Sequence, residues 1–119
     1  MSEEKINKLE NLVIDMAIES WRFSRLFVRV ASKLDAGDTT KYVNQLRYFQ
    51  KKIGDSLDEV GLKVVNLEGQ VFDAGMAASA INIEDFEASD VLVVEQMIEP
   101  VIMGGEGLRR SGVVMVRKV

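Results

Sequence analysis

"LDEVGLKVVNLEG", Leu57–Gly69, is where the hydrophobic period of the chain changes. Before it, apolar residues recur at spacings of three and four, the repeat of one helix face. From Leu62 onward they come in short runs rich in Val, Ile and Met ("LKVVNL", "QVFD", "AASAINI", "VLVVEQMIEPVIM", "GVVMVRKV"), separated by Gly, Asn and Asp. That is the pattern of strands and turns. The junction predicts an α+β chain with two parts, a helical segment over 1–61 and a small all-β domain over 62–119.

Upstream, Ile6, Leu9, Val13, Met16, Ser20, Phe23, Phe27, Val30 and Leu34 form a seam with alternating steps of three and four, in which only Ser20 is polar. Such a seam, sustained over about four heptads, is the signature of a coiled coil. Leu12, Trp21 and Leu26 lie beside it and widen the apolar face, so the helix has more than one neighbour to satisfy. The spacing predicts a first helix from Glu3 to Asp35. Gly37 then suits the left-handed position after a helix, and Asp38 or Thr39 suits the cap of the next. A second helix carries Tyr42, Leu46, Phe49, Ile53, Leu57 and Val60 on one face and ends near Gly61. The short connection makes the pair an antiparallel hairpin. At 1.5 Å per residue the first helix overhangs the second by ~16 Å. The overhang exposes Ile6, Leu9 and Val13 unless a second copy covers them. The expectation is a homodimer through Ile6, Leu9, Val13, Met16, Phe23 and Phe27, two hairpins making a four-helix bundle.

Downstream, "NLEG", "DAG" and "GGEG" read as turns. Pro100 interrupts the longest strand and marks a bulge or an edge. "GGEG", Gly104–Gly107, leads into a strand rather than a helix, which favours a hairpin turn over a phosphate cradle. The acids Glu84, Asp85, Glu87 and Asp90 have no recognisable ligand spacing and read as a solvated loop, so no metal is expected.

The 119 residues suffice for one modest core, with 47% apolar and 29% charged positions. There is no cysteine and no histidine. Disulfides, thiolate chemistry, the commonest general base and the commonest transition-metal ligand are all excluded. The composition favours binding over catalysis, with no cofactor. A carboxylate pair such as Asp73 and Glu95 is the one enzymatic alternative, and nothing in the sequence selects it. The net charge of −4 repels nucleic acid and anionic membranes. No apolar run has the length of a membrane span, and "MSEEKINKLE" lacks the features of a signal peptide, so a cytoplasmic location is expected. Against this net charge, Arg22, Arg25, Arg29 and Lys33 make a basic row on the first helix, next to Trp21. Glu3, Glu4, Glu10, Asp15 and Glu19 make its other half acidic, a polarity suited to a steered protein contact.

Taken together, "LDEVGLKVVNLEGQVFDAGMAASAIN" resembles the helix-to-strand junction of the GrpE nucleotide-exchange factors, with Leu57, Gly61, Leu62, Gly69, Phe72 and Asp73 in the family's places. "VEQMIEPVIMGGEGLRRSGVVMVRK" is similar to that family's closing hairpin. Val94, Gln96, Met103, Gly105, Leu108, Arg109 or Arg110, Val114, Val116 and Lys118 follow its pattern. The resemblance spans Trp21 to Lys118. It departs at Ala74, where the family has proline, at Ala77-Ala78-Ser79, where it has His-Glu-Ala, at Pro100-Val101 for Gly-Tyr, and at Glu106, which reverses the charge of an arginine. The resemblance implies a dimeric co-chaperone, active in protein folding and the stress response. It would bind the ATPase domain of a DnaK-class chaperone and promote ADP release. It would do so through Met103, Glu106, Arg109, Arg110 and Val116 in the β domain and Arg22, Arg25 and Arg29 on the helix. The alternative is a dimeric scaffold or adaptor that keeps the fold without exchange activity.

Overall fold

The computed structural model describes residues 2–119 and is α+β, with two helices followed by six strands in two small sheets. The chain divides between Gly61 and Leu62 into two compact units.

In the first unit, α1 runs Glu3–Ala31 and α2 runs Ala36–Glu59. Ser2 caps α1, its hydroxyl accepting the Lys5 N–H at 3.2 Å, and Glu3 and Glu4 sit in the first turn, where the helix dipole favours negative charge. The connection differs from expectation. Helix α1 ends at Ala31 rather than Asp35, and Asp35, not Asp38 or Thr39, caps α2 by accepting the Asp38 N–H at 3.0 Å. Gly37 therefore lies inside the first turn of α2 instead of ending α1. Two acids three residues apart offered equivalent caps, and the first one won. The left-handed glycine is Gly61, at φ 75°, just past the end of α2. Thr39 ties the corner, donating to the Ala31 carbonyl at 2.8 Å.

The helices are antiparallel, with the Phe27 and Tyr42 rings edge to face at 6.3 Å near the connection. Helix α1 has 29 residues against 24, so the overhang is only five residues, ~7.5 Å, and not ~16 Å. The seam is exposed for a different reason. The residues that α1 buries are Ile14, Ala17, Ile18, Ser24 and Ala31, one stripe away from the seam. Ala17, Ser24 and Ala31 are small and seven apart, which lets α2 approach closely, with Leu46 and Leu57 as its buried residues. Ile6, Leu9, Val13, Met16, Phe23 and Val30 remain exposed along the whole helix, Met16 at 69%, and so does Leu34 beyond its end.

In the second unit, β1 (Lys63–Val65), β4 (Val101–Gly104) and β5 (Gly107–Arg110) form one antiparallel sheet in the order β1-β4-β5. The other sheet has the order β2-β6-β3, where β2 (Ala78–Ala80) runs parallel to β6 (Gly112–Lys118) and β3 (Leu92–Glu99) antiparallel to it. Pro100 is buried between β3 and β4, the point where the chain leaves one sheet for the other. Lacking an N–H, it ends the ladder there. Register shifts between Val94 and Gln96 and between Met97 and Glu99 bend β3 toward that corner. The outer edge of β3 is covered by 67–72. Gly69 N–H donates to the Val94 carbonyl, Val94 N–H to that of Gln70 and Phe72 N–H to that of Leu92, each at 2.9 Å. The Glu68 carboxylate accepts the Met97 N–H at 2.9 Å.

The core of this unit is Leu62, Leu92, Val94, Met97, Val101, Ile102, Val114 and Val116. Gly112 is its tightest point. A Cβ there would meet Met97 Cε at 2.8 Å, Val101 Cγ2 at 2.9 Å and the Glu99 carbonyl at 3.1 Å. The substitution Gly112→Ala is therefore expected to overpack the joint between the sheets and to destabilise the protein by about 1–3 kcal/mol, measured by chemical denaturation.

Candidate interaction surfaces

The hairpin of β4 and β5 carries most of the β-domain residues singled out from the sequence. Gly104 pairs with Gly107, leaving Gly105 and Glu106 as a two-residue turn, and Gly107 takes φ 122°, open to glycine. Glu106 stands exposed at the tip. Met103 pairs with Leu108 on one side and Lys63 on the other, so the three share one sheet face. Leu108 is 47% exposed and Met103 half-buried. Arg109 lies across the hairpin. A Cβ on Gly104 would come within 3.0 Å of its Cγ and 3.3 Å of its Cδ, so the glycine makes room for the arginine stem. Arg110 pairs with Ile102, beyond a register shift that re-aims the end of the strand. Met103, Leu108 and Lys63 thus compose one face of the hairpin beside the acidic tip, while Arg109 and Arg110, alongside Gly104 and Ile102, belong to its other face.

Val116 does not belong to that surface. It is 1% exposed in the core, paired with Val94, and offers nothing to a partner. The reason is strand alternation, which turns Gly112, Val114 and Val116 inward and Val113, Met115 and Arg117 outward. Of the outward residues, Val113 and Met115 are half-buried and Arg117 is exposed.

The helical candidates lie in the other unit. Arg22 pairs with Glu19 at 3.2 Å, and the Arg25 guanidinium lies 5.2 Å from the centre of the Trp21 ring. Arg25 is half-buried, and Arg22 and Arg29 are exposed. The exposed Arg22–Glu19 pair contributes little stability by itself. On the seam side of the hairpin, Phe23, Ser24, Phe27, Gln45, Leu46 and Phe49 line an apolar groove of about 300 Å³. A second groove of about 340 Å³, lined by Ile6, Leu9, Glu10, Val13 and Val60, continues it toward the other end. Phe49 and Val60, which the spacing places on the apolar face of the second helix, close these grooves from the other arm of the hairpin.

Asp73 forms a turn. Its side chain accepts the Gly75 N–H and its carbonyl accepts the Met76 N–H. Val71 bridges Val93 in antiparallel register, which places Asp73 and Glu95 four residues apart along the ladder, ~13 Å. They do not come together. Among the described residues no group of three or more acids is placed to hold a metal ion. Within the acidic loop, Asp90 accepts the Glu87 N–H at 2.9 Å and pairs with Lys118 at 3.2 Å. The Glu87 N–H first, and Lys118 second, hold its carboxyl below the usual value of 3.8. Among the described residues no helix is long and apolar enough to cross a membrane.

One structural residue escaped sequence reasoning. Asn82 donates its amide to the Val116 carbonyl at 2.8 Å and accepts the Val116 N–H at 3.0 Å, so its side chain extends the pairing of β2 along β6. The substitution Asn82→Ala leaves both backbone groups of a buried strand unpaired. It is expected to cost about 1–3 kcal/mol in a denaturant titration.

The lowered Asp90 value sets a direction with pH. Its contribution to stability is complete above the unfolded pKa and is lost as pH falls through the lower folded one. Acid titration of thermal stability should therefore separate wild type from Asp90→Asn above about pH 4 and bring the two curves together below it.

Comparison with protein-family models, with curated proteins and with solved structures finds no match to this chain.

Proposed function

We propose that the protein is a GrpE-like co-chaperone. It acts as a homodimer, binds the ATPase domain of a DnaK-class chaperone and promotes release of ADP. The observation that carries the reading is the coincidence of two features. The junction and closing-hairpin residues that resemble the family fall on a helical hairpin followed by a β unit. The side chains expected to meet a partner, Met103, Glu106, Arg109 and Arg110, cluster on one β-hairpin. Arg22, Arg25 and Arg29 form the second contact, on α1.

Dimerisation is supported by the unpartnered seam. Its exposed apolar residues run the length of α1, and Phe49 and Val60 extend them onto α2. A continuous apolar stripe of this extent marks an interface. A second hairpin laid against it completes a four-helix bundle.

Such a factor breaks no bond. By linkage, a partner that binds the open nucleotide cleft better than the closed one weakens nucleotide binding by the same coupling free energy. Met103 and Leu108 supply apolar contact and the arginines supply charge pairing to acidic groups. The reversed charge at Glu106 selects a partner whose matching surface is cationic, and it favours the adaptor as the second reading.

Two measurements test the proposal together. Light scattering should give a dimer for the wild type and a monomer for the double variant Val13→Glu, Phe23→Glu. Both residues are exposed in the single chain, so the variant keeps its helical content. The wild type should accelerate release of a fluorescent ADP analogue from the chaperone of the same organism. Binding without acceleration would replace exchange with the adaptor role. A wild-type monomer at micromolar concentration would overturn the bundle.

A further inference from the structure

The side of the hairpin away from the seam has its own chemistry. The groove of the seam side is lined from α2 by Gln45 and Phe49, with Leu46 at its floor. At 100° per residue, Arg47 then points to the opposite flank of α2. The same geometry on α1, with Phe23 and Phe27 on the seam side and Ser24 at the floor, places Arg25 on the opposite flank and turns Arg22 and Arg29 further round, to the outer side of α1 beside it. The antiparallel register is fixed by the Phe27–Tyr42 ring contact and by the hydrogen bond from Thr39 to the Ala31 carbonyl. It sets Arg47 level with Arg22 and Arg25. Two helices therefore contribute to one cationic surface, which wraps from the outer side of α1 onto the flank of α2.

We infer that Arg22, Arg25, Arg29 and Arg47 form a single docking face for an acidic protein surface, with Arg47 the contribution of α2. Two features suit it to a protein partner. Trp21 holds the Arg25 guanidinium over its ring at 5.2 Å, so that group is positioned before any partner arrives. Tryptophan and arginine are also the residue types that dominate binding energy in protein interfaces. The second is charge. The chain carries −4 overall, yet this end of the hairpin is cationic, while the acids of α1 lie in its first two thirds. A face of one sign on a chain of the other orients an acidic partner during encounter. Glu19, paired with Arg22, is the acid that borders it.

The identity of the partner rests on the exchange-factor reading, and the experiment keeps the two separable. Binding of the dimer to the cognate chaperone ATPase domain is measured over a range of salt for wild type, Arg47→Glu, Arg47→Ala and Lys8→Glu. Lys8 is exposed on the acidic half of α1, ~21 Å along the helix from Arg22, so it controls for net charge. Arg47→Glu should weaken binding by about tenfold at low salt, with the difference shrinking as salt rises. Arg47→Ala should do so less, and Lys8→Glu should stay within about twofold of wild type. Equal affinities for Arg47→Glu and Lys8→Glu would overturn the face and leave the exchange reading standing. If the wild type does not bind the ATPase domain, the exchange reading falls, and retention on immobilised poly-L-glutamate decides the face. Wild type retained more strongly than Arg47→Glu supports it. Equal retention, no retention, or stronger binding to duplex DNA than to the polymer overturns it.

Discussion

Helix α1 carries more apolar surface than one neighbour can cover, and the organisation of the hairpin follows from that constraint. Its buried stripe of Ile14, Ala17, Ile18, Ser24 and Ala31 and its exposed seam are about 100° apart around the helix. An antiparallel helix packed at the usual separation shields one such stripe, not both. The stripe chosen is the one with small residues at intervals of seven, because close approach gains more dispersion contact than burying large side chains at a distance. The larger residues, Met16, Phe23 and Val30 among them, are thereby left exposed.

This division explains what could be read in advance. Periodicity shows that a helix is present and how wide its apolar arc is. It does not say which part of the arc meets the nearest helix, because Ala17, Ser24 and Ala31 carry little hydrophobic signal. The expected overhang was too large by the same logic. The α1 boundary depended on a cap, and "LDAGD" holds two acids that local chemistry does not distinguish. Only the tertiary bond from Thr39 back to Ala31 shows how tight the corner is.

In the β unit, the strand runs and the turn at Gly104–Gly107 were legible from composition, and the separation into two sheets was not. That separation hangs on Pro100, which ends one ladder, and on Gly112, which lets β6 pass close to Met97 and Val101. A parallel partner for β6 is equally invisible, because β2 is three residues long and its pairing is completed by the side chain of Asn82. The inward direction of Val116 was available from the alternation of "GVVMVRK". A role suggested by resemblance has to satisfy that alternation as well, and this one does not. Met103 and Leu108 satisfy it on one face of their hairpin, and the arginines lie on the other.

The two sides of the hairpin differ in what they can do for a partner. The seam is uncharged, so association through it is driven by apolar burial and is nearly indifferent to salt. The arginine face is cationic, so association through it is steered over a distance set by the Debye length. Because the two lie on opposite flanks, a second copy bound at the seam leaves the arginines of both copies outward. Dimerisation and capture of an acidic protein then compete for no residue. In the proposed dimer each copy keeps its own cationic face and its own β-hairpin. The free energy that changes a partner's nucleotide affinity has to come from these contacts being better in one state of that partner than in the other.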